Sequence, residues 1–344
     1  MALTVNNKKG VLLVNLGTPD SPKTSDVRKY LQEFLMDGRV IDIPYFSRWL
    51  LVNLIIAPFR APKSAATYQQ LWEERGSPLK FYGEDLAEQL SKELQEGYEI
   101  ALAMRYQSPS IREGLEQLKD KKVSEILVLP LFPQYASATT GSVFEKVNDV
   151  LKTWQVIPTV KFLHKFFDEE LFIKAFAARG KEWMDKNNYD HFIFSYHGLP
   201  ERQIRKASTE GHCKLNNNCC SAYHKKNQYC YRAQCFATTR LLAEELGLSE
   251  DQYTVCFQSR LGKEPWIQPY AEDVFKALPA QGKKKVLAFS PAFVADCLET
   301  TIEVGEEFKE EFIEAGGEQW DLVESLNDTA LWMECVKQLI LKHS

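Results

Sequence analysis

The feature that most constrains this chain is a regular alternation of short apolar runs with longer amphipathic stretches. There are eight such runs, four in the first 163 residues and four in the rest. They are Val11–Gly17, Tyr98–Met104, Glu125–Leu131, Val156–Leu163, His191–Tyr196, Tyr253–Gln258, Lys285–Ser290 and Asp321–Ser325. The stretches between them carry apolar residues at three- and four-residue spacing, which is typical of amphipathic helices. Near-continuous apolar strands that alternate with helices predict parallel sheets covered on both faces.

The grouping of the strands predicts two doubly wound α/β lobes, each with a four-stranded parallel sheet, and a cleft between them. The length of 344 residues agrees, since a domain takes roughly 150 residues. We predict an N-terminal lobe over residues 1–160 and a C-terminal lobe over 161–327. A last helix over 328–344 is predicted to pack back on the first lobe. Ligands of such sheets bind at the carboxyl ends of the strands, so functional residues are expected in the loops that follow them.

Charge and motifs exclude several classes of protein. The net charge is −5, from 42 basic and 47 acidic residues, which argues against a nucleic-acid-binding protein. The first residues have no apolar core of a secretory signal, and no run of about 18 apolar residues could span a bilayer, so a cytoplasmic protein is expected. No glycine-rich phosphate loop of the dinucleotide or P-loop type occurs, so no nucleotide cofactor is predicted.

The most apolar segment of the chain is Trp49–Phe59 (WLLVNLIIAPF). At 11 residues it is too short to cross a membrane. The simpler interpretation is a buried helix or a pocket wall. The alternative is an apolar lip that touches a membrane surface or a greasy ligand.

Two groups of side chains that follow strands could move protons or metal ions. His197 follows the fifth strand, and an imidazole can accept a proton or bind a metal near neutral pH. Glu299 and Glu303 follow the seventh strand and are four residues apart, so they share one face of the next helix. Carboxylates at a helix start also occur in solvated faces, because they suit the helix dipole. Hard oxygen ligands beside one imidazole would suit the passage of Fe(II).

Two further segments place aromatic side chains after strands. Tyr135 lies in a hydroxyl-rich stretch after the third strand. Trp266 follows the sixth strand with Arg260 and Lys263 nearby, a combination that would suit a flat anionic aromatic ligand. Either segment alone could be ordinary loop packing.

Five segments in this order and spacing resemble the ferrochelatase family. They are Val11–Pro19 (VLLVNLGTP), the Tyr135 segment, Ser195–Pro200 (SYHGLP), Gln258–Trp266 (QSRLGKEPW) and Ala295–Thr300 (ADCLET). The resemblance runs from about residue 10 to 340, and its second half is most similar to the bacterial branch that uses protoporphyrin. It implies two Rossmann-like lobes and the terminal step of haem biosynthesis, the insertion of Fe(II) into protoporphyrin IX with release of two protons.

The resemblance also implies roles for individual residues. His197 and Glu299 would be the site pair across the porphyrin, and Glu303 would guide iron or take protons. Porphyrin contacts are expected from Leu16, Tyr135, Ser195 and Trp266. Position 297 is histidine in some members and cysteine here, so Cys297 is not assigned as an iron ligand. The alternatives are a chelatase for coproporphyrin or cobalt, and a bilobal protein that only binds a tetrapyrrole.

The departure from simpler family members is a cysteine-rich insertion near residues 207–230. Five of the eight cysteines fall between residues 213 and 235, and in a reducing compartment such a group more often binds metal than forms disulfides. Cys235 aligns with members that have no insertion. The set carried by the insertion is Cys213, Cys219, Cys220 and Cys230, with His212 and His224 as possible stand-ins. Some members hold a 2Fe–2S cluster on such a segment. We therefore expect a cluster here, with zinc, free thiols or a disulfide as alternatives.

Overall fold

The computed structural model describes residues 8–208, 211–262 and 264–344. The chain divides into two compact units. The first holds residues up to Phe132, Ala136–His164 and Met333–Ser344, and the second holds Pro133–Tyr135 and Lys165–Trp332.

Each unit is built on one four-stranded sheet. The strands are β1 (Lys9–Gly17), β2 (Tyr98–Tyr106), β3 (Glu125–Pro130), β4 (Thr159–Phe162), β5 (His191–His197), β6 (Tyr253–Gln258), β7 (Lys285–Phe289) and β8 (Gln319–Leu322). Their orders are β2-β1-β3-β4 and β6-β5-β7-β8, and every pairing is parallel. The predicted fold class, two four-stranded parallel α/β sheets flanked by helices, is confirmed.

The eighth strand differs from its predicted position at Asp321–Ser325. Trp320 is opposite Val286 in the β7–β8 pairing, and its indole is fully buried among the core residues of the second unit. Burial of this large ring fixes the register of the strand two residues earlier than the apolar pattern suggested.

The helices occupy the segments between strands. The α-helices are α1 (Thr24–Leu35), α2 (Tyr45–Leu50), α3 (Ala57–Leu71), α4 (Pro78–Glu93), α5 (Ile111–Asp120), α6 (Ser142–Leu151), α7 (Glu170–Met184), α8 (Glu201–Ala207), α9 (Tyr231–Leu246), α10 (Ala271–Ala277), α11 (Phe308–Glu314) and α12 (Ala330–His343). Short 3₁₀ helices cover Asn217–Cys220, Lys225–Asn227 and Pro279–Gln281. No helix of the described chain is both long enough and apolar enough to span a bilayer.

In the part of the chain that the structure describes, three segments are π-helices, which use i→i+5 hydrogen bonds and often mark functional sites. They are π1 (Leu51–Ile56), π2 (Ser137–Gly141) and π3 (Leu298–Glu307). The apolar spacing between the seventh and eighth strands indicates an amphipathic helix, and its first turns are π-helical, since π3 continues to Glu307 before α11 begins. Glu299 and Glu303 both belong to π3.

Burial on both faces explains why the strands read as apolar runs. In the first unit, Leu12, Val14 and Val128 are fully buried against helix residues such as Leu115 and Val143. In the second, Ile193, Val286 and Ala288 are buried together with Phe275 and Trp320. Each such side chain contributes roughly 1.5–3 kcal/mol of burial free energy, so these two cores hold the strand ends in place.

Candidate active site

His197 is the last residue of β5 and is half-buried at the carboxyl edge of the second sheet. Its ring Nδ1 is 2.7 Å from the carbonyl oxygen of Gly198. Because a carbonyl oxygen only accepts hydrogen bonds, Nδ1 carries the hydrogen, and the lone pair is on Nε2. The main-chain oxygen of His197 accepts a hydrogen bond from the hydroxyl of Tyr231 at 3.0 Å. This imidazole is therefore held in the tautomer that can take a proton at Nε2.

Gln258 and Ser259 hold the carboxylate of Glu303 beside this histidine. Gln258 is paired with His197 across β5 and β6. Its Nε2 donates to Glu303 Oε2 at 3.0 Å and to the carbonyl oxygen of Glu299 at 2.9 Å. The Ser259 hydroxyl donates to the same carboxylate at 2.7 Å. Sequence reasoning missed these two roles, although polar residues at the end of β6 were a usable signal.

The pKa of the Glu303 carboxyl is raised above its ordinary value, chiefly by burial. The hydrogen bond from Ser259, the charge of His197 and the hydrogen bond from Gln258 act in the opposite direction, and the charge of Glu299 raises the pKa further. Glu303 therefore interacts electrostatically with both residues of the predicted pair. A carboxyl whose pKa is raised in this way can take and release a proton closer to neutral pH.

Cys297 caps the helix that carries the two glutamates. Its backbone N–H donates to the Thr300 hydroxyl at 2.9 Å, and that hydroxyl donates back to the Cys297 carbonyl oxygen at 3.1 Å. The thiol is buried, which raises its pKa well above the ordinary value, with the Glu299 charge as a further cause. The backbone of Cys297 and the Thr300 hydroxyl thus fix the start of π3, and burial keeps the Cys297 thiol protonated at neutral pH.

Trp266 lies next to the His197 loop. The two rings are 6.3 Å apart between centroids. Gly198 permits this approach, because a Cβ there would be 2.8 Å from the Gln258 carbonyl oxygen and 3.1 Å from the indole. Of the two basic residues predicted near Trp266, Arg260 is over the Tyr270 ring at 4.3 Å, and Lys263 is outside the described residues.

The other predicted porphyrin contacts occupy different positions. Ser195 is fully buried, and its hydroxyl donates to Gln258 Oε1 at 2.6 Å, so this hydrogen bond orients the Gln258 side chain. Tyr135 is half-buried, and its backbone N–H donates to Gln234 Oε1 at 2.7 Å. Leu16 is half-buried near the end of β1 in the first unit. Porphyrin contact by Tyr135 and Leu16 stays a prediction, whereas Ser195 has no exposed surface with which to make such a contact.

The four insertion cysteines lie close to one another in the second unit. The Sγ atoms of Cys219 and Cys220 are 3.8 Å apart. A small cavity of about 10 Å³ is lined by residues that include His212, Cys213, Cys219 and Cys230. The described residues contain no group of three or more His, Cys, Asp or Glu arranged as a metal site. Residues 209 and 210 of the insertion are outside the described residues.

The thiols of the insertion are also coupled in their ionisation. The hydrogen bond between Cys220 and Cys230 lowers the pKa of Cys230 and raises that of Cys220. Burial raises the pKa of Cys213, and the nearby Cys219 and Cys220 raise it further. Four neighbouring thiols, of which Cys213, Cys220 and Cys230 have shifted pKa values, form a donor set that a cation would neutralise. The set therefore fits a metal or cluster in its chemistry, while the cavity is about the size of one water molecule.

The apolar segment is exposed rather than buried. Side chains exposed by more than a third of their surface include Tyr45, Phe46, Trp49, Leu50, Leu54, Ile55 and Phe59. Within Trp49–Phe59 only Val52 and Ala57 are buried, so the interpretation of a buried helix is wrong. We call these seven exposed side chains the apolar patch. Contiguous exposed apolar surface commonly marks a binding surface.

Comparison with known proteins identifies the family. The ferrochelatase family model matches residues 8–344. The chain belongs to the ferrochelatase family. The Legionella pneumophila (strain Lens) ferrochelatase is 45% identical over 333 residues, covering 97% of this chain and 98% of the relative. The Coxiella burnetii (strain Dugway 5J108-111) ferrochelatase is 41% identical over 343 residues, covering 99% and 96%. The resemblance seen in the sequence is confirmed, and membership of this family makes the chain a lyase of the terminal step of haem biosynthesis.

Solved structures agree with the fold at much lower identity. The sirohydrochlorin chelatase SirB from Bacillus subtilis subspecies spizizenii, in complex with cobalt, matches with a TM-score of 0.52 and 10% identity. The match covers 97% of this chain and 94% of the SirB chain. At this identity the likeness concerns the fold alone.

Proposed function

We propose that this chain inserts Fe(II) into protoporphyrin IX, with His197, Glu299 and Glu303 as the groups that move protons and iron. The observation that supports this most is the bonding of Gln258, which pairs with His197 across two strands and donates to the Glu303 carboxylate and to the main-chain carbonyl oxygen of Glu299. Metalation must remove two pyrrole protons. His197 Nε2 accepts one, and the buried carboxyl of Glu303, with its raised pKa, accepts the other or passes it to Glu299.

The porphyrin in this proposal contacts Leu16, Tyr135 and Trp266. Binding energy from these groups would bend the ring so that its nitrogen lone pairs face the metal. Ser195 acts indirectly, because its buried hydroxyl orients the Gln258 amide. No step requires a nucleotide.

The first test is His197→Ala, assayed by Fe(II) insertion into protoporphyrin IX. We expect turnover to fall at least 100-fold while porphyrin binding, measured by fluorescence quenching, and the thermal melt stay close to wild type. Turnover within threefold of wild type would remove His197 from the mechanism. Parallel assays with coproporphyrin III and with Co(II) decide between this proposal and the alternative substrates, and porphyrin binding without any metalation would indicate a carrier.

We further propose that Cys213, Cys219, Cys220 and Cys230 hold a 2Fe–2S cluster. The proximity of the four thiols and the pKa shifts that burial and neighbouring thiols cause at Cys213, Cys220 and Cys230 support this set. The segment between them is polar and has little apolar surface to bury, so ligation would supply much of its order. Such a cluster is redox-active and would make the purified protein reddish-brown.

The cluster proposal is tested on freshly purified protein by visible absorption and by counting iron and sulfide. About two irons per chain are expected. Serine at any of the four positions should bleach the protein, whereas Cys235→Ser should keep the colour, because Cys235 is fully buried within α9. One zinc ion per chain would favour a zinc site. A colourless, iron-free and fully active enzyme would contradict the cluster.

We also propose a cytoplasmic enzyme whose apolar patch makes transient contact with a membrane surface, where greasy porphyrins partition. Exposure of Leu54 by 56% and of Phe59 by 78% supports this. Phe59→Glu should weaken flotation with liposomes severalfold. Ile157→Glu is the matched control, since Ile157 is 55% exposed but lies outside the patch. Equal flotation of both variants would remove the patch from membrane binding.

A further inference from the structure

The first turn of α9 connects the cysteine-rich segment with the candidate active site. α9 begins at Tyr231, directly after Cys230. Three polar side chains of this turn are almost fully buried: Tyr231 is 7% exposed, Arg232 is 4% and Gln234 is 0%. Residues of one helical turn point in different directions, so each of these side chains reaches a different segment of the second unit.

Tyr231 reaches the proton-accepting residue of the site. Its hydroxyl donates to the main-chain oxygen of His197 at 3.0 Å. That oxygen belongs to the last residue of β5, where strand pairing ends and the loop begins. A buried donor at this position fixes the backbone from which the imidazole projects, and it does so from the residue that follows Cys230.

Arg232 reaches both the Trp266 loop and the cysteine segment. Its Nε donates to the carbonyl oxygen of Gln268 at 3.0 Å, and one terminal nitrogen donates to the carbonyl oxygen of Asn216 at 3.3 Å. Gln268 is two residues after Trp266, and Asn216 lies between Cys213 and Cys219. A buried guanidinium is stable only when acceptors satisfy its N–H groups. Its hydrogen bonds to Gln268 and Asn216 therefore hold the Trp266 loop and the cysteine segment at a fixed separation.

Gln234 makes the third connection. Its Oε1 accepts from the backbone N–H of Tyr135 at 2.7 Å, and its Nε2 donates to the carbonyl oxygen of Gln228 at 2.8 Å. Gln228 is two residues before Cys230, whereas Tyr135 follows β3. One amide therefore satisfies main-chain groups of a predicted porphyrin-binding segment and of the cysteine segment together.

We propose that Tyr231, Arg232 and Gln234 are positioning residues, through which order in the cysteine segment sets the placement of His197, Trp266 and Tyr135. The inference rests on the proposed site at His197. It explains how a segment that contributes no group to the reaction can control turnover. When the cysteine segment loses its order, the α9 first turn loses its anchors at Asn216 and Gln228, and the three site segments are released.

The test combines kinetics with hydrogen–deuterium exchange on the full-length protein as purified. Tyr231→Phe keeps the ring and removes only the hydroxyl. We expect kcat to fall about tenfold with KM for protoporphyrin IX changed less than threefold, the effect of one lost buried hydrogen bond. Exchange should accelerate in peptides covering residues 197–200. Tyr253→Phe is the matched control, because Tyr253 is in the same unit at the opposite end of the sheet.

Two further variants separate coupling from local damage. Cys220→Ser should accelerate exchange over residues 133–136, 197–200 and 266–270, although Cys220 is in none of these segments. Gln234→Glu keeps the acceptor for Tyr135 and loses the donor to Gln228, so it should loosen 133–136 less than Cys220→Ser does. Adding Tyr231→Phe to Cys220→Ser should lower kcat by less than the product of the two single effects.

The outcomes also distinguish this proposal from those on which it builds. Wild-type kcat and exchange in Tyr231→Phe, or fully multiplicative effects in the double variant, would overturn the positioning role. If His197→Ala stays active, the proposed site fails, while the exchange data still report whether the α9 first turn holds the three segments. If the protein carries no iron, the response to Cys220→Ser still tests the coupling with free thiols.

Discussion

The segments that follow β3 and β7 occupy equivalent places in the two units but differ in chemistry. Each follows the third strand in its sheet order and forms a π-helix that leads into an α-helix. The second residue is Ala138 in π2 and Glu299 in π3. The third is a threonine in both, since Thr139 corresponds to Thr300. The same backbone device is therefore used twice, and only the second copy carries carboxylates.

The buried carboxylates near the two segments show what this difference means. Asp37, in the first unit, accepts hydrogen bonds from Arg105 at 2.6 Å, Tyr106 at 2.9 Å and Ser142. Its pKa is lowered although burial alone would raise it, because these donors and the Arg105 charge outweigh desolvation. Glu303, in the second unit, accepts from the neutral donors Gln258 and Ser259 and lies near the charges of His197 and Glu299, and its pKa is raised, chiefly by burial. A carboxylate whose desolvation is outweighed by hydrogen-bond donors and an opposite charge stays ionised and is structural. A carboxylate whose desolvation is not outweighed in this way is available for proton transfer.

The largest expected effect is on turnover and concerns Glu299, the carboxylate of π3 that has no counterpart in π2. Glu299→Gln should lower turnover about 1000-fold, because the shape is kept while the charge and the proton acceptor are lost. Glu145→Gln, at an exposed carboxylate of α6 in the first unit, should change turnover less than twofold. Steady-state Fe(II) insertion measures both. If porphyrin binding fell in step with the rate for Glu299→Gln, the residue would be a binding group instead.

The second prediction concerns the contribution of the Asp37 carboxylate to the free energy of unfolding. Asp37→Asn should destabilise the protein by about 3 kcal/mol, because Arg105 would remain buried without a counter-charge. Glu303→Gln should cost less than about 1 kcal/mol, since its partners are mostly neutral donors. Urea unfolding of both variants makes the measurement. Equal losses would remove the distinction between structural and reactive carboxylates.

The third prediction is that the two variants depend on pH in opposite ways. Asp37 has a folded-state pKa below 3.8, so its stabilisation is present above that pH and is lost as the pH falls through the folded value. Glu303 has a folded-state pKa above 4.5, so its contribution is full below 4.5 and is lost as the pH rises through the folded value. When unfolding free energies are measured between pH 3.5 and 7, the difference between Asp37→Asn and wild type should therefore become smaller at low pH. The unfolding free energy of Glu303→Gln should rise relative to that of wild type as the pH rises. Curves of unfolding free energy against pH that ran parallel for wild type and both variants would contradict both pKa shifts.

The smallest expected effect is on the pH profile. The Ser259 hydroxyl lowers the pKa of Glu303, so Ser259→Ala should raise it further. If the Glu303 carboxylate takes part in turnover, the acid limb of kcat/KM should move to higher pH by roughly half a unit. Glu145→Gln again serves as the control. An unmoved limb would mean that Glu303 does not titrate in the working range.

Much of the fold could be predicted because strands that are buried on both faces appear in the sequence as continuous apolar runs. β6 has its predicted bounds, and β1, β2, β3, β5 and β7 differ by one or two residues at an end. β4 is shorter than the run Val156–Leu163, whose first residues Val156 and Ile157 are exposed. The winding of π3 was missed, because an apolar spacing of three and four does not distinguish a π-helix from an α-helix.

The sequence by itself determined the two parallel sheets and the family, and it singled out His197, Glu299 and the four insertion cysteines as candidate site residues. These follow from periodicity and from local motifs, which need only neighbouring residues. The tertiary structure alone decided that Gln258 and Ser259 hold Glu303, that Asp37 is compensated, and that the α9 first turn joins the cysteine segment to the site. Such roles depend largely on hydrogen bonds between groups that are distant in sequence, 34 residues apart for Tyr231 and His197 and 105 for Ser142 and Asp37. Strand register and burial bring these partners together, and neither can be read from the chain one segment at a time.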